Sequence, residues 1–551
     1  MVINHWQPGT VAMEKSDAVE EVENVPELRS QNDIGISVPK SKVNVTGTVK
    51  LTAGKIVYIP TPTADPQDPL NRSKWQKGMI IIVLSIFSTV GLSLVSGFGG
   101  VMNFYSAEYA AAGKTQEDLT HLTSYPGLTM GLGNLIGMPL AYAVGRRSVL
   151  LISTLILCLT SALCAAAKTY EWHLAVRLVM GLAAGQSEAL VPMITQEIFF
   201  LHERGSYLMI QNSCQSIIAA VYVLFAGPIA GAIGVDWWYG LGACLSGLSL
   251  VLAFFFLPET KYARSKSSYQ ETTQSQDEYG FEGESYEETD LVTERPPLDY
   301  EKYNSCTWKS DMRLWIGEPE WKKGFHIFKD TFVLLLFPNV FWAMILNGYV
   351  LGVNVSIGAV YSTILTSQPY NWPNSSASYA NCGQIITAIV AVPILGFGSD
   401  KLIAWLAKRR GGIHEPEVRL IPLIIPIIIG TFTSVLFGQG GAHPDHYHWF
   451  VYVWAIAAYY FAFMGVTIQT ITYLLDCYPH RAGSILIVIC AFRGIIAFGT
   501  TYAITPFVVD LGFDLSFGVY GALTFALCAL GIPIYIWGKE IRQFTGRWAR
   551  D

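Results

Sequence analysis

Twelve mostly apolar stretches, each about 20 residues long, are divided six and six by a polar, acidic loop of about seventy residues. They lie near 79–99, 120–143, 148–167, 172–196, 207–231, 236–257, 338–362, 379–398, 420–437, 449–473, 484–507 and 514–537. In lipid the backbone must satisfy its polar groups within its own segment, so each stretch is expected to be a helix. Composition agrees: 51% of residues are hydrophobic and 14% charged, too oily for a soluble chain of this size. The chain is therefore read as an all-α membrane protein of twelve transmembrane helices in two six-helix bundles. Residues 1–77 form a disordered N-terminal tail, 78–257 the first bundle, 258–337 a central loop, 338–537 the second bundle and 538–551 a C-terminal tail.

Orientation follows from Lys and Arg. If residues 1–77 face the cytosol, the inner short loops hold Arg146, Arg147, Arg204, Lys401, Lys408, Arg409, Arg410 and Arg481, while the outer loops hold Lys114 and Lys168. This asymmetry predicts that both termini are cytoplasmic. Residues 1–77 lack the pattern of a cleaved signal, so the first span is expected to direct insertion. The formal charge of -6 points to no partner, and no nucleic-acid interaction is expected. Of nine cysteines, Cys158, Cys164, Cys214, Cys244, Cys490 and Cys528 fall inside spans, where buried free thiols are expected, and none has metal-ligand spacing. No cofactor or metal is expected. Residues 1–55 and the run Ser267–Asp290, with eight acids and no Lys or Arg, are too polar to fold alone. The aromatic and basic stretch Trp308–Lys329 is either an amphipathic segment on the inner membrane face or an irregular linker held by its aromatics.

Several local patterns give the chain a recognisable likeness. They are Asp65-Pro66-Gln67-Asp68-Pro69-Leu70-Asn71 with Trp75 and Lys77 before span 1, Leu201-His202-Glu203-Arg204-Gly205 between spans 4 and 5, Leu257-Pro258-Glu259-Thr260 after span 6, and Glu415-Pro416-Glu417-Val418-Arg419-Leu420 before span 9. In this order the chain resembles the major facilitator superfamily, and within it the twelve-span drug:proton antiporters of fungi, a group that includes importers of organic cations such as polyamines. The resemblance runs from Asp65 to the C-terminus. It implies the major facilitator fold, a central cavity exposed alternately to each side, and a monomer with a small-molecule substrate, protons and the lipid bilayer as partners.

The superfamily's Gly-x-x-x-Asp-x-x-Gly-Arg-Arg signature belongs between spans 2 and 3. Gly145-Arg146-Arg147 is present, but Tyr142 stands in the acid's place and Met138 in the first glycine's. After span 8, Gly396-Phe397-Gly398-Ser399-Asp400-Lys401 keeps an acid, and the resemblance makes Asp400 part of a cytosolic latch; basic turns that only set topology are the alternative. In span 5, Gly227-Pro228-Ile229-Ala230-Gly231-Ala232 resembles the superfamily's antiporter block. Pro228 removes an amide donor, and Gly227 and Gly231 permit close packing, so a seal near the outer end is expected, with plain packing as the alternative.

Span 4 carries Arg177 and Glu188, neither of which should face lipid, since a central charge costs roughly 2.5–3.5 kcal/mol there. Eleven residues apart, they lie within roughly 20° on one face but about 16 Å apart along it, so they cannot pair directly. Arg177 resembles the span-4 arginine implicated in proton handling. Glu188 is the expected proton carrier, because desolvation raises a carboxyl's pKa and a nearby cation lowers it; the alternative is a structural carboxyl. Glu197, near the cytosolic end of span 4, resembles in position the superfamily acid that pairs with the basic turn after span 2, and the resemblance implies that it pairs with Arg146 as a gate. In the second half Arg493 needs a solvated cavity or a carboxylate. Asn347, Asn354, Gln384 and Gln469 either line the cavity or bond between helices, and Phe341, Tyr349, Tyr459 and Tyr460 would suit a hydrophobic or cationic ligand. Asn374-Ser375-Ser376 is an external glycosylation motif. Together these features predict proton-coupled export of a small amphipathic drug or secondary metabolite at the plasma membrane. The alternatives are uptake of an organic cation such as a polyamine, or a transporter-like sensor.

Overall fold

Each apolar stretch becomes a helix, and Ser73, Thr115 and Thr169 cap the starts of three of them. We describe a computed structural model of the chain over residues 49–50, 63–262, 297–303, 307, 311–314, 318–409, 413–478 and 481–546. The expectations for the acidic run, and for all of 1–55 except 49–50, lie outside these residues. Among them, ten helices are long and apolar enough to cross a membrane. Two features raise the count to twelve. Gln116–Ala143 is of spanning length but is diluted by Thr120, Thr123, Ser124, Asn134 and two internal prolines. Ala482–Thr545 is two spans, broken where Gly512 adopts φ 81°, a conformation that suits glycine.

The first half comprises span 1 (Lys74–Ser96), span 2 (Gln116–Ala143), span 3 (Arg146–Ala165), span 4 (Tyr170–Ala184 continuing as Gln186–Ile198), span 5 (Leu201–Leu224 continuing as Ala226–Ile233) and span 6 (Asp236–Phe256). Span 1 starts with a Ser73/Gln76 capping box and span 2 with a Thr115/Asp118 one, each satisfying amides that helix geometry leaves open. The second half comprises span 7 (Pro338–Thr366), span 8 (Cys382–Ala391, a π-helical turn Val392–Gly398, then Ser399–Arg409), span 9 (Ile424–Ala442), span 10 (Phe450–Cys477), span 11 (from Ala482 to the break at Gly512) and span 12 (from the break to Ala529, then Gly531–Gly546).

One difference from the expected boundaries has a physical cause. Span 12 runs on to Gly546 rather than giving way to a tail at 538, because Arg542 is fully buried and holds Glu417 with two bonds of 2.8 Å each. In the central loop Trp321–Leu334 is a helix, as the amphipathic alternative for Trp308–Lys329 requires over the residues they share, and it runs five residues past that segment. Val49–Lys50 also forms a short antiparallel pair with Ile413–His414.

Packing is close where glycines meet backbone. A Cβ on Gly181 would lie 2.4 Å from the Pro126 carbonyl and one on Gly185 2.4 Å from that of Met130, so spans 2 and 4 touch main chain to main chain. Exposed Ile152, Leu155, Leu159 and Leu163 on span 3, and Ile424, Ile428, Phe432 and Val435 on span 9, recur every three or four residues and form outward apolar stripes. A soluble monomer would not leave such stripes uncovered; hydrocarbon covers them. Cys214 and Cys244 share this exposed surface instead of being buried as expected, and the eight described cysteines are free. Replacing Arg542 by Ala strands Glu417, which is 5% exposed, and is expected to cost about 3–5 kcal/mol. A lowered unfolding temperature in detergent, with partial recovery in Arg542→Lys, is the measurement.

Candidate functional site

About halfway along the helices, one ion pair joins the two halves. Glu188 stands ten residues before the end of span 4 at Ile198, and Arg493 eleven residues after the start of span 11 at Ala482. Both ends lie on the side of the basic turns, so each charge is about 15 Å deep in a hydrocarbon core of about 30 Å. The guanidinium Nη2 of Arg493 binds the Glu188 carboxylate, with the two side chains 6% and 12% exposed. The Cys490 thiol donates to the Glu188 carbonyl at 3.3 Å. One turn away, spans 2 and 11 press together: a Cβ on Gly131 would lie 2.4 Å from the Ala491 carbonyl. Among the described residues Arg493 Nε is buried and has no hydrogen-bond partner, so the guanidinium depends heavily on this one carboxylate.

Arg177 belongs to a different arrangement. Its guanidinium donates to the carbonyls of Leu122 at 2.8 Å, Leu94 at 3.1 Å and Val95 at 3.0 Å, and to the Tyr239 hydroxyl at 2.7 Å. It lies 4.5 Å from the centre of the Phe98 ring. His173 links the same Tyr239 hydroxyl, at 2.8 Å, to that of Tyr109, at 2.9 Å. Every partner lies in the first half, and Arg177 is fully buried. Four oxygen acceptors and an aromatic face replace a counter-ion, and the result pins spans 1, 2, 4 and 6 together.

At the basic end each half closes with charges from three elements. In the first half Arg146 binds Glu197 at 2.7 Å, and Thr260 donates to the other Glu197 oxygen at 2.6 Å. Glu259 accepts the amides of Arg146 at 3.0 Å and Arg147 at 3.2 Å, and so caps span 3. Burial pushes the Glu259 carboxyl above its ordinary range, and the amides of Lys261, Arg146 and Arg147 oppose the shift. Arg147 does not reach the second half. It donates to the carbonyls of Phe254 at 2.7 Å, Arg313 at 3.0 Å and Asp311 at 3.1 Å, fastening the central loop instead. Tyr142, in the missing acid's place, lies 4.7 Å under the Arg146 guanidinium. Its hydroxyl touches Gly483 at the start of span 11, where a Cβ would come within 2.0 Å. A phenol thus occupies the crossing between halves. In the second half the same ends meet through Glu417–Arg542 and Arg419–Asp476. The Asp400 side chain lies outside the described residues.

At the opposite end the Gly227-Pro228 block meets the second half. The Gly227 amide donates to Ser378 Oγ at 3.2 Å, and a Cβ on Gly231 would lie 3.1 Å from that of Ser375. Pro228 falls in the first turn of Ala226–Ile233, where no amide donor is needed. Asn374 is exposed and opens the short helix Asn374–Ala377 that carries this contact.

The polar residues of the second half mostly bond between helices. Asn347 donates to Thr470 at 2.8 Å and accepts from Thr467 at 3.2 Å. Gln469 donates at 3.2 Å to the Leu395 carbonyl, inside the π-helical turn of span 8. Asn354 and Gln384 are half-buried. Tyr349 donates to the Tyr520 carbonyl at 3.2 Å, Tyr459 is buried, and the Tyr460 ring lies tilted by 44° to that of Phe463, centres 6.0 Å apart. Phe341 is 48% exposed near the start of span 7.

The sequence profile of the Major Facilitator Superfamily matches residues 81–489, most of the chain. The chain belongs to that superfamily. Its solved relatives include the xylose transporter XylE of E. coli in a partially occluded inward-open conformation, at TM-score 0.55 and 11% identity, covering 84% of this chain and 98% of that one. This likeness establishes the fold. Among curated relatives, the uncharacterized MFS-type transporter C1271.10c of Schizosaccharomyces pombe is 26% identical, covering 90% of this chain and 89% of its own. Protein HOL1 of Saccharomyces cerevisiae is 25% identical over 91% and 92%, and the efflux pump FUBT of Fusarium oxysporum is 25% identical over 89% and 77%. The protein is a multi-pass membrane transporter of small molecules and not an enzyme.

Removing one member of the Glu188–Arg493 pair leaves a buried unpaired charge and is expected to cost about 3–5 kcal/mol. The Glu188→Gln/Arg493→Gln double variant is expected to be milder than the sum of the single ones. Unfolding temperatures of all four proteins close the cycle, and strict additivity would deny that the pair forms.

Proposed function

We propose that the chain is a proton-coupled exporter of a small amphipathic drug or secondary metabolite, working by alternating access. The observation that carries this reading is the Glu188–Arg493 pair, the site where a proton can decide whether two halves attract. With Glu188 ionised, the pair holds span 4 to span 11. When Glu188 takes a proton the attraction is lost, and spans 4 and 11 can part. Loss of a buried partner is worth about 3–5 kcal/mol, the scale needed to shift a two-state equilibrium substantially. A cationic or polar group on the substrate competes with Arg493 for Glu188, which ties proton release to cargo. The half-buried Tyr460 and Phe463 offer an apolar companion surface. Arg177 contributes by fixing span 4 relative to spans 1 and 2.

Gating in this reading divides between the ends. Arg146, Glu197 and the Tyr142–Gly483 crossing serve the basic end, with Arg147 anchoring the loop and Asp400 completing the latch from span 8. Gly227, Pro228 and Gly231 against Ser375 and Ser378 serve the other. Asn347, Asn354 and Gln469 shape the wall of the central passage. The basic turns support a cytosolic first end with both termini there; in this reading Asn374 is an external glycosylation site and the protein a monomer in the plasma membrane. Relatives named as efflux pumps support the direction.

In proteoliposomes with an imposed pH gradient, Glu188→Gln is expected to insert at reduced stability and to lose gradient-driven transport. Proton dependence equal to wild type in this variant removes Glu188 from the coupling. Flux in the uptake direction would identify an organic-cation importer that uses the same carboxylate.

A further inference from the structure

The helix Trp321–Leu334 bridges the two halves at the basic end. On the first half, the Glu320 amide just before it donates to the Ala143 carbonyl at 3.0 Å, and the Glu320 carboxylate binds Lys261 at 2.9 Å. Gly324 sits against span 2, where a Cβ would lie 2.8 Å from the Pro139 carbonyl. On the second half, Asp330 faces Arg481 at 3.8 Å, and Phe332 meets Phe492 edge-on at 6.2 Å. Phe492 directly precedes Arg493, so this helix abuts the turn that holds the central pair.

The helix sorts its charges. Glu320, just before the helix, and Asp330, within it, are committed to Lys261 and Arg481, and Glu318 stands exposed before its start. Lys322 and Lys329 are exposed, seven residues apart on one face. Beside them runs a second stripe in which Trp321, Phe325, Phe332 and Leu336 are 62%, 71%, 43% and 74% exposed. The stripe ends at Leu336, two residues before span 7 begins at Pro338. An exposed apolar stripe that runs into the start of a spanning helix lies at the level of the acyl chains, and a neighbouring cationic stripe then lies at the level of the phosphates.

We propose that this helix is a docking surface for anionic phospholipids of the adjoining leaflet, and that their binding braces the bridge across spans 2 and 11. Trp321 and Phe325 insert among the acyl chains, and Lys322 and Lys329 take the headgroup phosphates. The lipid holds the helix down on both halves at once, so its charge sets how firmly the basic end is closed. The proposal depends on the bridge and the exposed stripes, and not on which substrate is carried or in which direction.

The test uses the full chain reconstituted in phosphatidylcholine bilayers with and without phosphatidylserine. Native mass spectrometry reads the lipid retained, and an unfolding curve reads the bracing. Wild type is expected to enrich phosphatidylserine over its bulk share and to unfold at higher temperature in its presence. Lys322→Gln/Lys329→Gln is expected to lose that preference by on the order of tenfold and to lose the thermal shift, while Lys322→Arg/Lys329→Arg keeps both. Both variants change exposed side chains, and their unfolding curves in phosphatidylcholine alone should match wild type. Equal enrichment in wild type and the glutamine variant would overturn the proposal. Displacement of the lipid by millimolar inorganic phosphate would also overturn it, by showing a simple anion site, and an absent thermal shift in wild type would overturn the bracing.

Discussion

An unpaired charge is hardly tolerated in a hydrocarbon core, and much of this structure answers that constraint. Glu188 belongs to one half and Arg493 to the other. Each is about 15 Å from the nearest end of its helix, too deep for either side chain to reach water readily. Neither half can therefore bury its own charge comfortably alone. The pair makes the interface between halves the place where electrostatic energy is held. The surrounding glycines, Gly131 and Gly494, let the backbones come close enough for it to form.

The contrast with Arg177 shows how burial alone misleads about role. Both arginines are buried in spans, and both look expensive in a hydropathy reading. Arg177 is solvated by three carbonyls and a tyrosine hydroxyl of its own half, so it needs no partner that moves. Arg493 retains an unsatisfied Nε and relies on a carboxylate across the interface. One arginine is fixed by acceptors that are always present, and the other by an acceptor whose affinity a single proton can change.

The helices, their grouping and the family were legible from the sequence because span length, the central polar loop and the ordered local motifs are properties of contiguous residues. Glu197 with Arg146 was legible for a related reason, since a basic turn and the end of span 4 recur in that relation across the superfamily. The partner of Glu188 was not, because it lies 305 residues away and no local spacing encodes contact between bundles. Charge balance was the available signal: one half has a deep acid, the other a deep base, and lipid discourages leaving both alone. Asn347 and Gln469 were ambiguous for the opposite reason. An amide satisfied by a neighbouring helix and one aimed at a ligand look the same in sequence, and here neighbouring helices supply the partners.

Tyr142 shows how a motif can lose its acid while the contact between halves persists. In the acid's place the ring supports Arg146, and the hydroxyl abuts Gly483 at the start of span 11, where a helix presents unpaired amides. A carboxylate there would interact with the helix terminus as a full charge, whereas a phenol offers only a dipole and shape. The crossing is therefore weaker electrostatically than the signature normally makes it. The bridging helix Trp321–Leu334 touches both spans beside this crossing, through Gly324 on span 2 and Phe332 on span 11. It supplies by packing some of the restraint that the missing charge does not.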